Sequence, residues 1–102
     1  MLLHIDVVNK IATFQKRDGC IVCGNSGYQI QFNFDSEWDG VDRTIVFILP
    51  DGIEKVDIED GSLCPVPIIR NADKIIVGVI STDERMATTG TVIECRRSIL
   101  CT

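Results

Sequence analysis

Three groupings of side chains have the types and spacing from which chemistry is built, and each lacks a component. Cys20-Ile21-Val22-Cys23 has the C-x2-C spacing of a zinc half-site or a redox pair. Structural zinc needs two more ligands at suitable spacing. Cys64, Cys95, Cys101 and the single His4 are available, but there is no second C-x2-C. On a strand, positions i and i+3 point to opposite faces, so both thiols cannot serve one ion. A thioredoxin-type role needs the pair at a helix N-terminus, and no helical pattern follows it. The expectation is buried structural thiols, with no metal and no cofactor.

Asp35-Ser36-Glu37-Trp38-Asp39-Gly40 opens like a calcium loop, D-x-[DN]-x-[DN]-G. The ninth position of such a loop falls on Arg43 and the twelfth on Val46, so the bidentate glutamate is missing. The simpler reading is a solvated acidic corner, with Trp38 folded back as a lid on the core. Nucleophilic catalysis needs a base beside a Ser, Thr or Cys. His4 lies in an apparent strand, and neither G-x-S-x-G nor a phosphate loop occurs. The chain is not expected to be an enzyme. Arg96-Arg97 reads either as a docking patch for an acidic partner or as the solvated end of a strand.

The elements that position these residues read as strands. Tyr28, Ile30, Phe32 and Phe34 alternate with Gln29, Gln31 and Asn33, the period of a half-buried antiparallel strand. Leu3–Val8, Ile11–Gln15, Cys20–Cys23, Thr44–Leu49, Ile53–Ile58, Lys74–Ser81, Thr91–Glu94 and Ser98–Cys101 are further candidates. Gly24-Asn25-Ser26-Gly27, Pro50-Asp51-Gly52 and Asp60-Gly61 supply turn chemistry. Thr44–Leu49 is nearly all apolar and is expected to be covered on both faces. Pro65 and Pro67 cannot donate ladder hydrogen bonds, so Ser62–Ile69 is expected at a sheet edge or in an extended connection. The expected core holds Tyr28, Ile30, Phe32, Phe34, Trp38, Val46, Phe47, Ile75, Val77 and Val79.

Composition agrees with strands. Ile and Val number 25 against 8 for Leu and Ala, and β-branched side chains pack well on pleated surfaces. The 102 residues make one domain, 1–102, and eight or nine short strands at regular spacing suggest an antiparallel β-sandwich or a small barrel. A net charge of −5 argues against nucleic acid, which demands clustered Lys and Arg. No apolar run approaches a membrane span, and MLLHIDVVNK lacks the pattern of a secretory signal. Five cysteines without such a signal are expected as free thiols.

Three stretches together resemble an N-terminal module of bacteriophage virion proteins. They are Cys23-Gly24-Asn25-Ser26-Gly27-Tyr28, then Phe32-x-Phe34-Asp35-x-Glu37-Trp38-Asp39, then Arg43-Thr44-Ile45-Val46-Phe47. Cys64-Pro65-Val66-Pro67 and Glu94-Cys95-Arg96-Arg97-Ser98-Ile99-Leu100-Cys101 fit the same kind of module. It is similar to modules of tail, baseplate and fibre proteins of phages infecting Gram-positive bacteria, baseplate upper proteins among them. The resemblance implies a β-sandwich that anchors a longer protein, forms a symmetric homo-oligomer, contacts other phage virion proteins and resides in the virion, assembled in the bacterial host cytoplasm. Arg96, Arg97, Cys64, Pro65, Val66 and Pro67 are the expected interaction residues. The sequence stops at Thr102, short of the fibre or receptor-binding part that follows such modules. A fragment, or a virion protein made of the module alone, is therefore expected, and direct receptor binding is not. Two competitors share the fold class: a capsid-surface head-fibre or decoration protein, and a carbohydrate-binding β-sandwich.

Overall fold

The structure, a computed structural model, describes residues 1–99. Nine strands follow one another among them: β1 (Leu2–Val8), β2 (Ile11–Phe14), β3 (Ile21–Val22), β4 (Gln29–Phe34), β5 (Arg43–Leu49), β6 (Gly52–Glu59), β7 (Leu63–Pro65), β8 (Lys74–Ser81) and β9 (Thr91–Arg96). Two 3-10 turns, Lys16–Asp18 and Ser36–Trp38, interrupt them. The chain is all-β. Its strands form two sheets, ordered β2-β1-β4-β7 and β3-β9-β8-β5-β6, and one of the two curls into a half-barrel.

The pairing is mixed, which corrects the antiparallel expectation. β4 pairs with β7 antiparallel but with β1 parallel, from Leu2↔Gln29 to Val7↔Phe34, and β3 runs parallel to β9. Parallel neighbours need a crossover of a dozen or more residues. Residues 9–28 supply it: the chain turns back as β2, crosses to the other sheet as β3 and returns through the Gly24–Gly27 loop. The β1–β2 hairpin closes on Asn9 and Lys10, both at positive φ (52° and 63°), the backbone that a two-residue hairpin with right-handed twist requires.

Strand parity builds a single core. Leu3, Ile5 and Val7 of β1, Ile30 and Phe32 of β4, Ile45 and Phe47 of β5, Ile75, Val77 and Val79 of β8 and Ile93 of β9 are all buried together with Trp38. Tyr28 and Phe34 are half-buried at its margin. Two expectations need correction. Val46 is only half-buried, and Ile48 is 44% exposed, so Thr44–Leu49 is not covered on both faces. An apolar run says nothing of how many layers cover it: on this side of β5 Thr44 is buried beside Asp57 and Thr82, and cover falls away through Val46 to Ile48. The strand expected over Ser98–Cys101 is not formed at Ser98 and Ile99, and residues 100–101 lie outside the described residues.

Candidate interaction surfaces

The acidic corner is held from within. The Asp35 amide donates to the Val7 carbonyl (3.1 Å), and Asp35 Oδ2 accepts the Asn9 amide (2.9 Å), which ties the corner to the β1–β2 hairpin. Glu37 pairs with Lys10. Trp38 is fully buried against Phe34 at a ring separation of 5.5 Å, and Phe34 stacks on Phe32 at the same distance. Arg43, 6% exposed, lies with its guanidinium 4.1 Å from the Phe34 ring centre. Its Nη2 donates to the Trp38 carbonyl (2.6 Å), and its Nη1 to the carbonyls of Asp60 (3.2 Å) and Gly61 (2.8 Å). Arg43 thus clamps the corner to the β6–β7 turn through three carbonyls. Among the described residues no group of three or more His, Cys, Asp or Glu is placed to hold a metal ion.

The expected interaction residues fall in two places, on different sheets. Cys64 and Pro65 lie in β7, the edge of the four-stranded sheet, followed by half-buried Val66 and Pro67. Cys64 itself is fully buried and burial pushes its thiol up to about 12, so its side chain faces the core and only its neighbours reach the surface. Arg96 ends β9, exposed and paired with Glu94 (3.2 Å), with exposed Arg97 beyond it. Cys20, Cys23, Cys64 and Cys95 are free thiols. Burial first, then the neighbouring Cys23 and Cys20 and the carboxylates of Asp73 and Glu94, push the Cys95 thiol up to about 12. Thiols raised this far are poor nucleophiles near neutrality. The His4 ring meets one side chain, Asp18: its Oδ2 accepts the His4 backbone amide (2.7 Å) and lies 3.1 Å from Nδ1.

The outer faces of the two sheets differ in how their apolar side chains are arranged, a contrast no linear pattern reveals. In the four-stranded sheet several outer polar side chains bond one another, while Leu2, Val8, Ile11 and Leu63 stand exposed around them. Asp6 takes Asn33 Nδ2 (2.8 Å) and Gln15 Nε2, and Gln31 Nε2 donates to Ser62 Oγ (2.8 Å). In the five-stranded sheet, register aligns Ile53↔Ile48↔Ile76↔Val92 across four strands. Ile53, Ile48 and Val92 are 62%, 44% and 49% exposed. This apolar row becomes visible only when registers are known, because each member sits in a different strand.

The four sheet edges also differ. The Thr89 and Thr91 hydroxyls cover β2 by accepting the amides of Ala12 (3.2 Å) and Phe14 (3.0 Å). β3 is two residues long, and β7 is three and ends in proline. Only β6 is long, eight residues, and largely exposed. A cleft of about 460 Å³ opens beside its start, lined by Leu49, Pro50, Glu54, Ile69, Arg70 and Ala72 among others. Compared with known proteins, the chain matches no family model, no curated protein and no solved structure.

Proposed function

We propose that this chain is a non-catalytic structural module of a bacteriophage particle. Its two sheets make the β-sandwich frame of a tail, baseplate or fibre protein that assembles as an oligomer. The observation that carries the reading is the apolar row of exposed Ile53, exposed Ile48, half-buried Ile76 and exposed Val92 beside the open β6 edge. A contiguous apolar strip that runs across four strands to an open sheet edge is what a protein–protein contact surface presents. The address in a virion rests on the F-x-F-D-x-E-W-D stretch and the strand that follows it. A capsid-surface position uses the same frame and the same surfaces.

The glycan-binding alternative draws no support from the surface. Sugar platforms present exposed aromatic rings, whereas Phe14, Phe32, Phe47 and Trp38 are buried and Tyr28 and Phe34 are half-buried. Light scattering over a range of concentrations, paired with a glycan array, tests the proposal. A stable oligomer that is silent on glycans supports it. A monodisperse monomer that binds cell-wall polysaccharide overturns it.

A further inference from the structure

The direction of the β6 backbone follows from the far side of the same sheet. The Val79 amide and carbonyl of β8 both turn to Thr88: Val79 N–H donates to Thr88 Oγ1 (3.0 Å), and Thr88 N–H donates to the Val79 carbonyl (2.9 Å). The Val79↔Ile45 pair is therefore not a hydrogen-bonded one, and Ile45 must spend its backbone groups on its β6 partner Val56. By the alternation of an antiparallel ladder, Glu54 and Val56 bond inward to β5, while Ile53, Lys55 and Asp57 direct their amides and carbonyls away from the sheet. No other part of the described chain hydrogen-bonds those outward groups. The bulge between Arg43 and Thr44, with Glu59 at φ 55°, ends the run. An unpaired edge of this length, in regular register up to the bulge, is a template for another strand.

Charge selects among the strands that could add. From Asp51 to Asp60 the carboxylates of Asp51, Glu54, Asp57, Glu59 and Asp60 face the single ammonium of Lys55. Two copies meeting here would set these carboxylates against each other, which disfavours a second copy of this acidic chain. The cleft beside Glu54 adds a side-chain pocket. It has apolar walls from Leu49, Ile69 and Ala72, carboxylates of Glu54 and Asp51 at its rim, and Arg70 as its one basic neighbour. A long basic side chain fits such a site, with its methylene stem on the walls and its charge at the rim. On the outer face, an apolar side chain opposite Ile53 would extend the apolar row by one strand.

We infer that β6 is the receiving edge for an extended segment of a partner protein in which basic and apolar residues alternate, added as a sixth strand with a basic side chain in the cleft beside Glu54. The inference rests on the reading of this chain as an assembly module and names the chemistry of one of its neighbours. Backbone bonds to Ile53, Lys55 and Asp57 give affinity, and the cleft gives selectivity.

The test uses the intact chain and a capped peptide of alternating lysine and valine, followed by amide NMR and by fluorescence titration of labelled peptide. Binding should protect the Ile53, Lys55 and Asp57 amides. Lys55→Pro removes an outward amide together with an ammonium whose loss alone would favour a basic peptide, so a weakening of about tenfold or more reports the backbone bond, at a position where edge strands accept proline. Glu54→Gln, which leaves the backbone intact, should weaken it several-fold. Three results overturn the inference: no binding, equal binding of a peptide of the same charge carrying prolines at alternate positions, or amide changes away from β6. A peptide-free doubling of mass that Lys55→Pro abolishes also overturns it and gives the edge to a second copy. An oligomer that persists in Lys55→Pro while the peptide fails to bind sinks only the β6 inference and leaves the assembly reading standing.

Discussion

Removing the Arg43 guanidinium should destabilise the fold by more than a typical surface change, and the structure allows the size to be worked out. Arg43→Met keeps the aliphatic stem against the core and deletes three hydrogen bonds and the charge over Phe34. The bond to the Trp38 carbonyl is buried and charge-assisted, worth about 1.5–3 kcal/mol. That carbonyl keeps one donor, the Val41 amide at 3.1 Å, so it is not orphaned. The Asp60 and Gly61 carbonyls lie in a part-exposed turn where water can replace the guanidinium, so together they contribute about 1 kcal/mol. The cation–ring contact adds about 1 kcal/mol. Against these stands the cost of keeping a charge buried with no carboxylate partner among the described residues, which the substitution relieves. The net is a loss of about 2–4 kcal/mol. At about 4–8 °C per kcal/mol for a domain this small, the melting point should fall by roughly 10–25 °C.

Trp38 makes the assay direct. It is the only tryptophan and is fully buried, so urea unfolding followed by its fluorescence reports on the corner that Arg43 holds. Arg43→Lys separates charge from geometry. An ammonium is a point donor and cannot span three carbonyls as a planar fork does, so it should lose at least half as much stability as Met. A Met variant within about 1 kcal/mol of wild type would refute the clamp. A Lys variant equal to wild type would show that charge alone suffices.

Ser81→Ala should cost about 1–3 kcal/mol, because the buried Ser81 hydroxyl accepts the amides of Arg85 (2.9 Å) and Met86 (2.8 Å) and donates to Asp83 Oδ1 (2.7 Å). The Asp83 carboxyl, held below its ordinary value chiefly by that hydroxyl, should titrate higher in the variant, and an unchanged NMR titration would refute the assignment. The folded state keeps the Cys64 and Cys95 protons up to about 12, above the ordinary thiol value of 9.0. Stability from these groups is therefore fully present below about pH 9 and is lost as pH rises towards 12. Urea midpoints from pH 8 upward should decline, less steeply in Cys64→Val, and half-buried Cys20 should be alkylated before either thiol. Lys10→Gly relieves a left-handed backbone at the cost of an exposed ion pair, so thermal melts should show it neutral to about 1 kcal/mol more stable.

The parts of the fold that were legible from sequence are those in which each residue's neighbours along the chain decide its face. Leu3–Val8 and Tyr28–Phe34 alternate, Lys74–Ser81 is a continuous apolar run, and β1, β4 and β8 lie there. Pro65 was expected to mark an edge or a connection, and β7 is the edge of its sheet. What remained hidden depends on partners distant in sequence. The parallel β1–β4 pairing requires knowing that β3 belongs to the other sheet. Arg43 reads as a surface residue at a strand start until the β6–β7 turn brings two carbonyls to it. Val46 and Ile48 look like core because their strand is apolar throughout, and only the cover that falls away along this side of β5 exposes them. The Ile53–Ile48–Ile76–Val92 row is spread over four strands and has no signature within any one of them.

The way each edge is handled gives the clearest link from this sequence to a role. Two-residue β3 and proline-ended β7 are too short to template a strand, and Thr89 and Thr91 occupy the β2 amides. A chain that needed only to avoid aggregation could treat β6 in the same way, with a proline or a dense run of lysine. Instead β6 is the longest edge, carries one lysine among carboxylates, and stands where the apolar outer row reaches the rim at Ile53. Its acidic character still guards against pairing between copies of this chain, since like charges would face each other, but it does not guard against a basic strand. Protection that excludes self and admits one chemistry would be selectivity rather than blunting, which is the ground on which β6 is proposed as the receiving edge.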